Sequence, residues 1–472
     1  MNKYKHGITV NEIATKSISI EKAQNNIPVI LGIAPINLAE DSSKLNEPVL
    51  IKSIEDAKKQ LGYLDNFEEY TISEAVKAVF ELNSVGPVIA INVLDKEKHK
   101  SAIVEKAYTV INGIAKIEER GILKETVIIK AGEEDATLQE GIDYILKFND
   151  NGHLLVELVK NEVNIKASYT KLDTKAVTKN DIIDGINKIK MIYQNLNIIP
   201  SVLVAPGFSK DKEVSKALIS ATKKINGLFN CMTILDLDAD TNKNITMAIE
   251  YKNANIEYRS ENAIVTYPKI KYKNDIYNMS TITMATMLKT DIENDNVPYV
   301  SPSNKAIKAD SLVLEDGINI TIDYDEANEL NANGIVTALN IKGYRLWGNN
   351  TSIYPENEDM KDRFIAIKRM FCWWGNTFIE NYFEKVDNPL NFRMIEALVN
   401  DENIRANGFK SAMQLAEARI EYREDENTQE ELLAGRIKFR EILVPFPPVE
   451  HIENVLEFDA NALLNNLNGE VE

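Results

Sequence analysis

Ile8 and Val10 alternate with Thr9 and Asn11, and Ile18 and Ile20 alternate with Ser17 and Ser19. This is the period-two pattern of a half-buried strand. No Asn-Gly or Asp-Gly turn follows, so the strand stands near the chain end with no partner beside it in sequence. "IPVILGIA" (27–34), "PVLI" (48–51) and "VIAINV" (88–93) are short continuous apolar runs, the signature of buried strands. Between them, Ser53 with Asp56 three residues on opens a helix that Gly62 ends. The box Thr71-Ile-Ser-Glu74 predicts a second helix, with Ile72, Val76, Val79 and Phe80 on one face. From 96 to 178 the texture turns to strand: "TVIIKA", "HLLVELV" and "VNIKASY", with helical periodicity in "GIDYILKF".

From 179 to about 300, helix and strand alternate. "DIIDGINKIKMIYQNL" is read as one helix, "IIPSVLVAP" as a strand, "DKEVSKALISATKKI" as a helix and "CMTILDLD" as a strand. "NKNITMAIEYK", "AIVTYPKI" and "STITMATMLKTDI" continue the alternation as helix, strand and helix. Such units in series imply a doubly wound parallel sheet. Residues 333–351 read as two short strands and a turn, followed by helical stretches at roughly 357–385, 388–403 and 408–420. "GRIKFREILV" (435–444) gives a strand, "PFPP" a break, and "EHIENVLEFD" (450–459) a last strand.

The expected fold class is α/β and α+β multidomain: a doubly wound parallel-sheet domain, a small β-rich inserted domain and a C-terminal α+β domain. Its parts are a strand arm and linker at 1–20, an α/β core segment at 21–95, the β-rich insertion at 96–178, the doubly wound domain at 179–330, a C-terminal core domain at 331–450 and a strand arm at 451–472. A chain of 472 residues accommodates two to four domains.

Composition narrows the function. With 54 basic and 72 acidic residues the net charge is −18, and phosphate contacts need clustered Lys and Arg, so no nucleic-acid partner is expected. The longest apolar stretch, "IPVILGIAPI", carries two prolines and cannot span a bilayer. No apolar leader opens the chain, so no secretory signal is expected. Cys231 and Cys372 are the sole cysteines; one disulfide is conceivable, but two scattered cysteines in so large a chain point to reduced thiols in a cytoplasm.

Candidate chemistry is sparse. There is no G-x-x-x-x-G-K-[ST] and no G-x-G-x-x-G. "VAPGFSK" sits where a doubly wound fold places a ligand loop, but Ser209 lacks the G-x-S-x-G elbow. His6, His99, His153 and His451 lie in unrelated segments, against a triad or zinc site. Asp236, Asp238 and Asp240 match positions one, three and five of a calcium loop, yet Thr241 and Met247 stand where Gly and Glu belong; the run reads as an acidic helix start. "FCWWGN" (371–376) reads as packing at a core or a subunit interface. No catalytic residue, metal or cofactor is expected. The alternative is a doubly wound enzyme binding a small ligand near loops 205–210 or 236–242.

What remains is an acidic multidomain chain with unpaired strands at both ends. Such strands are a liability unless something pairs with them. Each can fold back on its own domain or add to a sheet in a neighbouring copy. Five or six ladder hydrogen bonds at ~0.5–1.5 kcal/mol each give roughly 3–8 kcal/mol.

"GYRLWGNNT" resembles the G-x-R-x-W-G-N-R-T segment of contractile tail sheath proteins from myophages and R-type bacteriocins, with Asn350 where an Arg is usual. Tyr4-Lys5-His6-Gly7-Ile8, "VGPVIAINV", "LVAPGFS" and "DENTQEELLAGRIKFREILVPFPPVEHI" resemble other segments of that family, in order along nearly the whole chain. The resemblance implies a non-enzymatic sheath subunit, stacked in six-fold rings or a helix around a tail tube, that contracts to drive the tube through a target envelope. It implies copies of itself, a tube protein, and baseplate and tail terminator proteins as partners, and a virion or bacteriocin tail, assembled in the host cytoplasm, as its location. It places the intersubunit arms at Ile8 and Val10 and at Ile452, Val455, Leu456 and Phe458. The recipient strand falls on Ile437, Phe439, Ile442 and Val444.

Overall fold

The computed structural model describes residues 24–40, 44–132, 135–160 and 162–467; the expected opening strand at Ile8 and Val10 lies outside them. The first apolar run forms β1 (Gln24–Gly32), followed by β2 (Val49–Ile51), α1 (Ile54–Leu61), α2 (Thr71–Lys77) and β3 (Val88–Asn92). Ser53 caps α1 as expected, its hydroxyl accepting the Asp56 N–H at 3.1 Å. Gly62 ends α1 at φ +75°, where a Cβ would meet the Pro35 carbonyl oxygen at 2.0 Å, so both conformation and space demand glycine. The box at Thr71 does not form. Tyr70 is the cap and Thr71 lies inside the helix, because its hydroxyl accepts the Ile33 N–H at the end of β1 (3.3 Å). Glu74 turns into the interior.

The insertion folds as β4 (Lys100–Ile111), β5 (Ile114–Ile117), β6 (Ile128–Ala131), β7 (Ala136–Thr137), β8 (Tyr144–Phe148), β9 (Leu154–Leu158) and β10 (Asn164–Leu172). They make an antiparallel sheet in the order β7-β6-β10-β4-β5-β9-β8. A core of its own includes Ile117, Ile129, Leu146, Val156 and Ile165. Lys100 pairs with Leu172, so the chain enters and leaves at one end, the geometry of an insertion. "GIDYILKF" is strand rather than helix: Tyr144 and Leu146 are buried while Ile145 and Lys147 are exposed, the strand alternation overriding the spacing of Ile142 and Leu146.

The chain continues through α3 (Lys179–Ile186), α4 (Met191–Leu196), β11 (Ile198–Val204), α5 (Lys212–Ala221), β12 (Met232–Asp236), α6 (Ile245–Ala254) and β13 (Ala263–Thr266). The single helix expected at 181–196 is two, parted after Asn187. "AIVTYPKI" also divides. Pro268, which has no N–H to give a ladder, separates β13 from β14 (Lys269–Tyr272). Then come β15 (Asp275–Asn278), α7 (Met279–Ile292), β16 (Ser311–Val313), β17 (Asn319–Ile320), α8 (Tyr324–Ala332), β18 (Ile335–Asn340) and β19 (Tyr344–Trp347). The main sheet runs β19-β18-β13-β12-β11-β1-β3-β2, with six parallel strands between antiparallel edges β19 and β2. One hydrophobic core follows it from Ile27 to Ile365, so segments from either side of the insertion share a single sheet. A smaller sheet, β15-β14-β16-β17, sits beside it.

The C-terminal part holds α9 (Met360–Arg363), α10 (Ile365–Tyr382), α11 (Phe392–Ser411), β20 (Glu417–Tyr422), α12 (Gln429–Leu433), β21 (Phe439–Val444) and α13 (Ala460–Leu467). The third expected helix, 408–420, is wrong beyond Ser411: "EARIEY" is β20, with Ala418 and Ile420 buried. Met370, Trp374, Ala406, Leu415 and Ala418 form a third core, and "FCWWGN" packs there.

Candidate assembly interface

The carboxyl ends of β11, β12 and β13 are where an open α/β sheet offers a ligand crevice. Here they are filled. Asp236, at the end of β12, accepts the Ser280 N–H (2.8 Å), the Ser280 hydroxyl (2.5 Å) and the Thr266 hydroxyl (3.0 Å). The Ser209 hydroxyl receives the Asp236 N–H at 3.0 Å. Glu74 accepts the Asn278 N–H and side-chain amide, both at 2.7 Å. Two buried carboxylates from distant segments thus satisfy the first N–H groups of α7, where the helix dipole favours negative charge. Burial pushes both acids up, Glu74 to about 7. The other half of "DLDADTN" closes on itself: Asp238 accepts the Asp240 N–H (3.1 Å) and the Thr241 hydroxyl (2.7 Å). Asp236 therefore caps a helix, but it is α7 rather than the next one; α6 begins at Ile245 under Asn244, which accepts the Met247 N–H.

The opposite condition holds near the C-terminus. Strand β21 pairs antiparallel with β20 from Phe439↔Tyr422 to Val444↔Glu417, and among the described residues these two strands make a sheet by themselves. By strand alternation, Phe439, Glu441 and Leu443 face inward with Ala418, Ile420 and Tyr422, and Ile442 and Val444 face out. The four expected recipient residues therefore divide. Phe439 lies on the inner face, Ile442 and Val444 on the outer, and Ile437 precedes the strand.

Under β21 lies a polar cluster. Trp374 of α10 donates its indole N–H to Glu441 at 2.5 Å. Glu402 of α11, fully buried, accepts two hydrogen bonds from Arg405 Nε and one from Tyr382 (2.9 Å). The Arg405 guanidinium stacks 3.6 Å from the Trp374 ring centre. Burial, then the neighbouring Glu402, push Glu441 up to about 7.

Beyond "PFPP" the chain leaves the body. Residues 451–459 form no helix or strand in the single chain, so the expected last strand is not present there. A strand needs a ladder partner, and among the described residues this segment has none. Ile452 is 84 % exposed, Val455 78 %, Leu456 88 % and Phe458 78 %. Helix α13 follows, with Leu463, Leu464 and Leu467 exposed; their spacing was its one trace along the chain. Arg363 grips Glu450 at the departure point. The same guanidinium donates from Nε to Asn350 (2.8 Å) and stacks on Tyr354 and Phe364. Asn350, at the place where the resemblance carries an arginine, is thus met by one from thirteen residues later.

Sequence comparison finds no matching family model. The tail sheath protein of Escherichia phage P2 is 21% identical over 467 residues, spanning 96% of this chain and 95% of that protein. The major tail sheath protein of Serratia phage KSP20 is 25% identical over 197 residues, 41% of this chain and 48% of that protein. Among solved structures, a chain of the contracted anti-feeding prophage baseplate superposes with a TM-score of 0.59 at 12% identity, covering 97% of this chain and 100% of that one. A chain of the contracted extracellular injection system PVC sheath complex gives 0.57 at 15% identity, covering 98% and 99%. The fold is that of contractile sheath subunits. The chain resembles tail sheath proteins along nearly its whole length.

Proposed function

We propose that this chain is a structural subunit of a contractile tail sheath, which polymerises around a tail tube by lending its end segments to sheets in neighbouring copies. The observation that carries the reading is the pairing of opposites near the C-terminus: an apolar segment exposed along its length, and a two-stranded sheet with room for another strand. Adding an extended segment to such an edge gives main-chain hydrogen bonds and side-chain pockets together. Ile452, Val455, Leu456 and Phe458 are the donor residues. Strand β21, with Phe439, Ile442 and Val444 and with Ile437 just before it, is the recipient. Ile8 and Val10 serve the same purpose at the other end. The main sheet, the insertion and the C-terminal part form the body between the arms at 1–20 and 451–472. The end-to-end likeness to the P2 protein and the superposition on injection-system chains support helical assembly, a tube and a baseplate as partners, and a place in a tail particle. The filled ends of β11, β12 and β13 favour a structural role over the alternative of a small-ligand enzyme.

Electron microscopy of the purified chain tests this. Long striated tubes are expected, and deletion of residues 1–20 should abolish them while the body stays folded. Discrete particles from the intact chain under all assembly conditions would refute the reading.

A further inference from the structure

Three features named above meet on one helix. The C-terminal segment leaves the body at Glu450, held by Arg363 immediately before α10; Ala366, in the first turn of α10, lines the same groove as Phe446, Pro447 and Val449. The described chain starts two residues before Asn26. Its side-chain amide donates to Asp291 at 2.8 Å, and Asp291 is also bound by Arg369, in the second turn of α10. Both arginines of that turn and its approach are committed: the Arg369–Asp291 pair is buried, and stacking on two rings fixes the Arg363 fork. The expected recipient strand touches the same helix through Trp374 and Glu441. From Ile365 to Trp374 the helix rises about 14 Å at 1.5 Å per residue. Two residues further, Asn376 exchanges hydrogen bonds with the Asn230 backbone at 2.9 and 2.7 Å, fastening α10 to the approach to β12.

We propose that α10 is the junction through which a strand docked on β21 is felt at the roots of the chain's own two arms. The inference rests on the assembly reading above and deepens it. The physical basis is a continuous path of buried, directional contacts. A ladder bond added to β21 restrains Glu441, which restrains the Trp374 indole. Trp374 sits on the same helix as Arg369, which holds Asn26 through Asp291, and Arg363, at the end of α9 one residue before the Phe364 cap of α10, holds Glu450 directly. Contacts between bodies can then change during contraction while donor roots and recipient strand keep a fixed spacing within each copy. Coupling between two sites needs a shared element that both bias, and α10 is placed to be that element.

The test adds a synthetic peptide of residues 451–459 to the full chain, held below its assembly concentration, and follows hydrogen exchange by mass spectrometry. Binding should protect 439–444 and slow exchange at 365–374 at least five-fold. In Trp374→Phe the ring remains but the bond to Glu441 is lost; the peptide should still protect 439–444 and no longer slow 365–374. Protection of β21 with unchanged exchange in α10 of the wild-type chain overturns the junction and leaves the assembly reading standing. Identical slowing in Trp374→Phe also overturns it, because the path then does not run through that indole. A peptide that leaves 439–444 unprotected overturns the assembly reading, and the junction with it.

Discussion

The carboxyl end of the main sheet and the β20–β21 sheet are built from the same material and left in opposite states. In the first, every hydroxyl and carboxylate named finds its mate on the same copy: Asp236 with Ser280 and Thr266, Glu74 with Asn278. In the second, two strands stand without further ladder partners among the described residues, and the next stretch of chain exposes four large apolar side chains. The first is complete as a monomer. In the assembly proposed above, the second is satisfied by an arriving strand, and the candidate site is an edge and a tail rather than a crevice.

The largest expected effect comes from removing the unsatisfied part outright. A chain ending at Val449 should lose tube formation entirely by electron microscopy and sedimentation, while its melting temperature stays within about 3 °C of the intact chain, since residues 451–467 are exposed along their length and exposed segments contribute little to stability. A fall larger than that would show that the tail stabilises its own body, and the contrast between the two regions would collapse.

The reverse experiment strikes the satisfied region. Asp236→Ala strands the Ser280 N–H and hydroxyl and the Thr266 hydroxyl in a buried site. Leaving buried donors unpaired costs about 1–3 kcal/mol per group, offset in part by relief of the buried acid, so a net loss of about 3 kcal/mol in urea unfolding is expected. The β20–β21 edge should be untouched, and any tubes that form at low temperature should be normal in width. Unchanged stability would mean that the hydrogen bonds at α7 are not what holds the sheet's carboxyl end closed.

Much of the first region was legible from residue order and much of the second was not, for physical reasons. Buried parallel strands announce themselves as apolar runs, so β1, β3, β11 and β12 were readable, and so was the Ser53 cap, because both depend on neighbours in sequence. The Thr71 box failed because the Ile33 and Asn278 N–H groups compete for Thr71 and Glu74, and nothing in sequence brings those residues together. Strand β20 was missed because Glu, Ala and Arg are good helix formers and follow a real helix; the alternation of Ala418, Ile420 and Tyr422 was the available signal. The cluster of Trp374, Glu402, Arg405 and Glu441 joins two helices and a strand, and it left no pattern along the chain. The exposed segment was visible as strand-like spacing and was expected to be unpaired; what the folded chain adds is the exposure of its four large apolar side chains.

The two regions also respond to pH in the same direction, with burial as the leading cause in both. Glu74 is pushed up to about 7 by burial against neutral donors, and Glu441 to about 7 by burial with Glu402 beside it. A carboxyl whose folded value lies above its unfolded value of about 4.5 binds a proton more tightly in the folded state. Its contribution is therefore full below about pH 4.5 and falls as pH rises to about 7, by no more than about 3 kcal/mol for Glu74. Glu74→Gln should flatten the pH dependence of global unfolding over that window. Glu441→Gln should flatten it for the exchange of 417–444 and leave the main sheet unchanged. If Glu441→Gln moves global unfolding as much as Glu74→Gln does, the two sheets unfold as one unit.

The smallest effect discriminates within the tail itself. If residues 451–459 dock as a strand, period-two geometry puts Ile452, Leu456 and Phe458 on one face and Val455 on the other. On an edge strand laid over a body, one face is buried and the other meets solvent. Leu456→Asp should then forfeit the burial of a leucine, about 2 kcal/mol, and raise the concentration needed for tube assembly roughly 30-fold. Val455→Asp should raise it by less than about five-fold. Both side chains are almost equally exposed in the single chain, at 88 % and 78 %, so neither substitution has a reason to change monomer stability, and the difference between them reads the docked state alone. Equal effects would mean that the segment docks as something other than a strand, most directly as an extension of the helix that begins at Ala460, where positions 455, 456 and 459 share a face.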